Sequence, residues 1–114
     1  MQMPTQIKVG PQLFTILEKT RKEDSLLNEG NYGYTLDQFN RIVIDKDMHK
    51  SKKQSTVLHE LMHAARMVWQ TPTQPTSVDS FEVWEHFFIG LYENSILMLL
   101  QDNPDLRKWL FTDE

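Results

Sequence analysis

The hydrophobic pattern of this chain changes its period near residue 50, and that change constrains the fold more than any other feature. In residues 6–18 apolar side chains alternate weakly around a Gly-Pro pair, which predicts two short strands or a hairpin. Residues 32–36 and the β-branched run at residues 41–45 predict two further strands that pair across a short turn. The first half of the chain is therefore expected to form a small sheet.

The second half begins with a change to helical spacing. Apolar side chains recur every three or four positions from residue 52 to Trp69, which predicts a long helix. Ser51 and Gln54 fit a capping box, with Ser51 as the N-cap and Gln54 at the third helical position. The polar residues 19–31, which precede the second pair of strands, are predicted to form a loop.

Two more helices are predicted in the last third of the chain. Two prolines within residues 70–78 exclude one continuous helix. Asp79 or Ser80 can cap a second helix that runs to about Gln101, and Pro104 favours the start of a short third helix.

The length of 114 residues is sufficient for one domain. We predict an α+β fold in which a small antiparallel sheet of three or four strands packs on the first long helix. A second long helix and a short C-terminal helix complete the core. A chain of this size has room for a single core, so any active site must lie on its surface.

Charge and composition exclude several classes of function. The net charge is −4 at pH 7, so non-specific binding of nucleic acid is not expected. The one basic run, Lys50, Lys52 and Lys53, is interpreted as the solvated start of a helix. There is no apolar signal region and no apolar stretch of about 18 residues, so we expect a cytoplasmic protein that does not bind membranes.

A His-Glu-x-x-His sequence, residues 59–63, lies in the middle of the first predicted long helix. Helical residues four apart share one face, so His59 and His63 can bind the same tetrahedral ion. Glu60 lies close enough to act as general base on water that zinc binds and activates. Because the chain has no cysteine, the ligands must be His, Asp or Glu. We therefore predict a zinc site with His59 and His63 as ligands.

A zinc site needs a third protein ligand, and the first long helix does not supply it in the extended form HExxHxxGxxH. Arg66 and Trp69 stand where that form has Gly and His. The remaining candidates are Glu82 and Glu85, early on the second long helix, which can return antiparallel to the first. His86 is a weaker candidate.

Helical geometry gives a mild preference between the two glutamates. Glu85 matches His63 in height, since each lies six residues from the loop that joins the two helices. Glu82 can instead serve as the capping-box partner of Asp79, which is itself a weaker candidate ligand. Both glutamates stay open on this reasoning.

The motif and its surroundings resemble small phage and prophage zinc metallopeptidases, which are related to the ImmA/IrrE and gluzincin groups. The resemblance spans roughly residues 32–110, and HExxH is its only specific motif. The segments that carry it are residues 42–45, 56–64, 81–85, 90–92 and 101–104.

The resemblance implies a metallopeptidase of minimal zincin-like architecture, with zinc held by His59, His63 and a glutamate from the following helix. When Gly90 is aligned with the corresponding helix of the family, that ligand falls on Glu82. We therefore rank Glu82 first and Glu85 second. The family also uses a hydrogen-bond donor for the oxyanion. The candidates for that role are Tyr92, Tyr34 and His86, although core or rim packing is an alternative for the tyrosines.

The resemblance further implies a peptide or protein substrate, with a repressor-type protein as one candidate. The substrate would pair with a strand edge within residues 32–45. Two other classes of function stay open: a metal-stabilised binding module without turnover, and an interaction protein in which the motif occurs by chance.

Overall fold

The computed structural model describes residues 1–69 and 81–112. It has the predicted α+β class, with a four-stranded sheet and four helices. The strands are β1 (Gln6–Val9), β2 (Gln12–Lys19), β3 (Gly33–Leu36) and β4 (Arg41–Asp45). The helices are α1 (Ser25–Asn28), α2 (Lys50–Val68), α3 (Phe81–Asp102) and α4 (Pro104–Leu110), and a 3₁₀ turn covers Asp37–Phe39.

The sheet consists of two hairpins placed side by side in the order β1-β2-β4-β3. The pairs β1–β2 and β3–β4 are antiparallel, as predicted, and their turns include Gly10 and Asn40, which have positive φ. The pair β2–β4 is parallel, so the sheet is mixed and differs here from the predicted antiparallel sheet. Four successive residues of β4 are buried, whereas no residue of β3 is. A strand that is apolar on both faces occupies the centre of a sheet, which leaves the more polar β3 at the edge.

Helix α2 packs across one face of this sheet. The strands contribute alternate residues to the core, and α2 contributes residues at helical spacing, as the change of period predicts. The buried core consists of Ile7, Val9, Phe14, Ile16, Ile42, Ile44, Val57, Leu61, Ala64, Ala65, Leu99, Leu106 and Trp109. The site described below lies at the end of this core beside β3.

The start of α2 differs from the predicted capping box. The helix begins at Lys50, and its N-cap is His49, whose Nδ1 accepts a hydrogen bond from the backbone N–H of Ser51. The Gln54 amide is used elsewhere: it donates to the carbonyl oxygens of Trp109 and Thr112, at 2.8 and 2.9 Å. Trp109 lies in the last turn of α4 and Thr112 lies just beyond it, so Gln54 joins the end of α4 to α2.

The predicted loop at residues 19–31 contains the short helix α1. The Asp24 carboxylate caps it by accepting hydrogen bonds from the N–H groups of Leu26 and Leu27. The side chain of Leu27 is fully buried. The loop prediction is therefore wrong for this turn, because one buried leucine and one cap are sufficient to stabilise it.

The predicted caps of the second long helix, Asp79 and Ser80, lie outside the described residues. Helix α3 ends at Asp102, one residue beyond the predicted end, and α4 begins at Pro104 as predicted. None of the helices that the structure describes is long and apolar enough to cross a membrane.

Candidate metal centre

His59 and His63 lie one turn apart on the exposed side of α2, and their rings converge. The two Nε2 atoms are 3.2 Å apart, and the ring planes meet at 72°. Two nitrogens that each lie about 2.0–2.1 Å from one zinc ion at the tetrahedral angle are about 3.3 Å apart. The imidazole pair therefore fits a single tetrahedral ion.

Glu60 completes this group from the buried side of the helix. Ligand atoms of His59, Glu60 and His63 all lie within 4.8 Å of one another, and this is the only such group of three within residues 1–69 and 81–112. The Glu60 residue is 6% exposed, whereas the side chain of His59 is 66% exposed. The group can hold a metal ion with one side open to solvent.

Thr35 of the edge strand β3 holds the Glu60 carboxylate in place. Its Oγ1 lies 2.7 Å from Oε1 of Glu60 and 3.2 Å from the carbonyl oxygen of the same residue. The other carboxylate oxygen, Oε2, lies 3.8 Å from Nε2 of His59. One oxygen is therefore engaged by Thr35, and the second faces the point at which the two imidazoles converge.

A glycine brings β3 close enough to α2 for this contact. A Cβ at Gly33 would lie 2.9 Å from the carbonyl oxygen of Val43 and 3.1 Å from Cγ2 of Thr56. Gly33 and Thr35 are two apart, so both present the same face of the strand to α2. In the sequence analysis both residues belong to the strand edge expected to bind substrate, and neither is assigned a contact with Glu60. The available signal was this spacing of two within a strand predicted to precede the motif.

An open cleft runs between β3 and α2, and we call it the β3–α2 cleft. It consists of two adjoining cavities of about 390 and 350 Å³, both of which include Asn31, Gly33, His59 and Glu60 in their walls. The first cavity extends towards the start of α2, and the second extends past His63 to Met67. The candidate metal centre thus lies in the middle of the cleft.

The outer edge of β3 also faces outward beside this cleft. The backbone N–H of Asp45 donates to the carbonyl oxygen of Tyr32, which fixes the alternation of hydrogen-bonded pairs between β3 and β4. That alternation points the backbone N–H and C=O of Gly33 and Thr35 away from β4. In the part of the chain that the structure describes, these backbone groups have no hydrogen-bond partner.

The predicted third ligands are placed on the first two turns of α3. Glu82 and Glu85 are both exposed there, and neither belongs to the group formed with the two histidines. His86 is also exposed, and Asp79 lies outside the described residues. The identity of a third ligand stays a prediction.

The two tyrosines proposed for the oxyanion make other hydrogen bonds. Tyr34 donates to Oδ2 of Asp24 at 2.6 Å, and Tyr92 donates to the carbonyl oxygen of Met62 at 3.4 Å. Burial, followed by the hydrogen bond to Asp24, raises the pKa of Tyr34 to about 12. Conversely, the hydrogen bond from Tyr34 is the main cause that lowers the pKa of Asp24. Either tyrosine would have to leave its partner to serve an oxyanion.

Comparison with protein-family models, curated proteins and solved structures gave no match to this chain. The resemblance to phage metallopeptidases therefore rests on the motif and the flanking pattern. The geometry of the site is the independent support for a function.

Proposed function

We propose that the protein is a zinc-dependent metallopeptidase in which Glu60 is the general base. The observation that carries this proposal is the 3.2 Å separation of the His59 and His63 Nε2 atoms, with the Glu60 carboxylate beside them. Two converging imidazoles alone would suit many metal sites. A buried carboxylate directed to the same point favours hydrolysis.

Different residues of the proposed site bind the metal and transfer the proton. His59 and His63 would hold the zinc ion, which when bound polarises a carbonyl and lowers the pKa of water. Glu60 accepts the proton of the attacking water through Oε2 and returns it to the leaving amine. Thr35 keeps the carboxylate oriented by its hydrogen bond to Oε1.

A third ligand from α3 is part of the proposal, with Glu82 first and Glu85 second by the resemblance. Helix α3 reaches α2 at Tyr92, whose hydroxyl contacts the residue before His63. Glu85 and Glu82 lie about 10 and 15 Å from Tyr92 along the helix. Neither glutamate belongs to the group that His59, Glu60 and His63 form, so its carboxylate would have to move towards the imidazole pair when metal binds.

The substrate in this proposal is an extended peptide that adds to the outer edge of β3. The outward backbone groups of Gly33 and Thr35 supply the hydrogen bonds for such strand addition. Because backbone groups provide the affinity, many sequences can bind. A repressor-type protein is one candidate substrate. The cytoplasm is the location that we propose, as the sequence analysis expects.

The exchange Glu60→Gln tests this function. The zinc-loaded variant is expected to bind metal as the parent protein does and to lose at least about 100-fold in kcat/KM on a cleavable peptide, the scale of a lost general base. The matched control is Glu93→Gln, at an exposed position of α3, which should keep full activity. Unchanged cleavage by Glu60→Gln would remove Glu60 from the mechanism.

The coordination of the bound metal separates this proposal from a metal-stabilised binding module. A structural zinc site is closed by four protein ligands, whereas a catalytic site keeps one open position. X-ray absorption spectroscopy of the zinc-loaded protein should report two imidazoles, oxygen ligands and exchangeable water. A fully protein-ligated ion would favour the module instead.

A further inference from the structure

The first turn of α2 carries three lysines and no acidic residue. The positive end of a helix dipole favours acidic side chains, so three cations there are electrostatically unfavourable without an anion. Lys53 pairs with Glu18 at 3.2 Å. Lys50 and Lys52 make no ion pair with any residue that the structure describes. The Lys50 ammonium is buried without a hydrogen-bond partner, so Lys52 is the unpaired cation of this turn that a ligand can reach.

Lys52 forms part of the wall of the β3–α2 cleft, at the end towards the start of α2. Its ammonium lies 4.4 Å from the centre of the Tyr32 ring, which holds the side chain in place by a cation–π contact. Apart from the candidate ligand His59, the acidic and basic residues in the wall of the 390 Å³ cavity are Lys52 and Glu60. Since Glu60 faces the imidazoles, the far end of that cavity is positively charged.

We propose that Lys52 and Tyr32 form a subsite for a substrate carboxylate, so that the enzyme prefers peptides with an acidic group at a fixed distance from the cleaved bond. The proposal deepens the proposed function and rests on it. The carboxylate could be an Asp or Glu side chain or a free C-terminus, because both present the same chemistry to an ammonium group.

The distance and direction of the acidic group follow from the geometry. Lys52 precedes His59 by seven residues, which is about 10 Å along α2 and equals about three residues of an extended peptide. Gly33 lies against Thr56 and Thr35 against Glu60, so β3 and α2 run in the same direction. A peptide that pairs with β3 in the commoner antiparallel sense would place its C-terminal side at Lys52.

The test uses fluorogenic ten-residue peptides of Ala, Gly and Leu. Each peptide carries one Glu, Gln or Lys, and its position differs from peptide to peptide. Mass spectrometry identifies the cleaved bond. For the zinc-loaded protein, kcat/KM should be about threefold to fivefold higher with Glu than with Gln at two or three residues C-terminal to the cleaved bond. Lys52→Glu should abolish this preference and favour the Lys peptide. The matched control Lys108→Glu, on α4, should keep it.

Peptides that end at the same position with a free carboxylate or with an amide distinguish a side-chain acid from a C-terminus. A preference for the free acid that depends on Lys52 would identify a C-terminal subsite. A preference for internal Glu in amidated peptides would identify a side-chain subsite. The proposal would be overturned if the parent protein and Lys52→Glu showed the same preference among peptides in both peptide sets. It would also be overturned if an acidic group raised kcat/KM only on the N-terminal side of the cleaved bond.

Binding without turnover separates the two proposals. Fluorescence anisotropy measures how the same peptides bind to zinc-loaded Glu60→Gln protein, which reports the subsite without cleavage. The comparison sample is the double variant that carries both Glu60→Gln and Lys52→Glu. Glu peptides that bind in a Lys52-dependent manner while the parent protein cleaves nothing would overturn the peptidase and leave the subsite. Cleavage without Lys52 dependence would overturn the subsite alone, and the absence of both would overturn both.

Discussion

The two edge strands of the sheet, β1 and β3, have outer edges in different surroundings. On β1 the side chain of Asn103 accepts a hydrogen bond from the N–H of Lys8 and donates one to its carbonyl oxygen, both at 2.8 Å. On β3 the backbone groups of Gly33 and Thr35 point outward beside the cleft and have no hydrogen-bond partner among the described residues. An uncovered edge invites pairing with another chain. The protein closes one edge and leaves open the edge that lies beside the candidate metal centre.

The largest effect is expected at the closed edge. Asn103→Ala removes the two hydrogen bonds to Lys8 and a third, at 2.9 Å, to the carbonyl oxygen of Leu99. Because these backbone groups are left partly buried without partners, the free energy of unfolding should fall by about 3 kcal/mol. Urea denaturation measures the change. Asn28→Ala, at an exposed position, should stay within about 0.5 kcal/mol of the parent protein.

Zinc affinity tells whether the closed edge matters only for stability. In folded Asn103→Ala protein, zinc titration should give the parent affinity, because His59 and His63 lie on α2 and Asn103 binds β1. A large loss of affinity in the folded variant would show that the two edges are coupled.

The open edge depends on Gly33 in a different manner. Gly33→Ala places a methyl group 2.9 Å from a backbone oxygen, so β3 must move away from α2. Overpacking of this kind should cost about 2 kcal/mol in unfolding free energy and weaken the contact between Thr35 and Glu60. Gly90→Ala is the matched control, since nothing lies within 4 Å of the added methyl group and Ala favours a helix. That control should gain about 0.5–1 kcal/mol, and a similar gain in Gly33→Ala would contradict the close approach of β3.

These contacts show how far sequence reasoning reaches. The period change near residue 50 and the spacing of His59 and His63 predicted α2 and its imidazole pair, because both depend on residues within one helix. The hydrogen bond from Thr35 to Glu60 joins residues that are 25 positions apart in the chain. Such pairs depend on the order of strands in the sheet.

Part of the strand order could be predicted from the sequence. The unbroken apolar run Ile42, Val43 and Ile44 marks a strand buried on both faces, which belongs at the centre of a sheet. The strand at residues 41–45 was predicted to pair only with residues 32–36, and the predicted sheet was therefore antiparallel. The third ligand could not be predicted with the same certainty, because the position of Glu82 and Glu85 depends on the connection before α3 and not on a local spacing.

A smaller effect is expected from Thr35, which acts on the site through Glu60. Thr35→Val keeps the shape of the side chain and removes the hydroxyl, so stability should fall by about 1.5 kcal/mol. If Thr35 only orients the carboxylate, zinc affinity should persist while kcat falls about tenfold with little change in KM. Thr35→Ser should restore kcat, since it restores the hydroxyl. A loss of kcat in Thr35→Ser with none in Thr35→Val would show that the methyl group, and not the hydrogen bond, matters.

The smallest effect concerns Tyr34, which anchors β3 to α1 through Asp24. The pKa of Asp24 is lowered in the folded protein, so its contribution to stability is present above its ordinary pKa of 3.8 and is lost as the pH falls through the folded value. The pKa of Tyr34 is raised from 10.0 to about 12, so its contribution is complete below pH 10 and is lost as the pH rises towards 12.

Tyr34→Phe should therefore lower the free energy of unfolding by about 1 kcal/mol at pH 7 and flatten both arms of its pH dependence. Thermal unfolding from pH 2 to 11 measures the profile, and Tyr32→Phe, at an exposed tyrosine of the same segment, is the control. If the peptidase activity of Tyr34→Phe equalled or exceeded that of the parent protein, the Tyr34 hydroxyl would have no role at the oxyanion. If it lost activity while stability at pH 7 stayed unchanged, the hydroxyl would act on the substrate and not through Asp24.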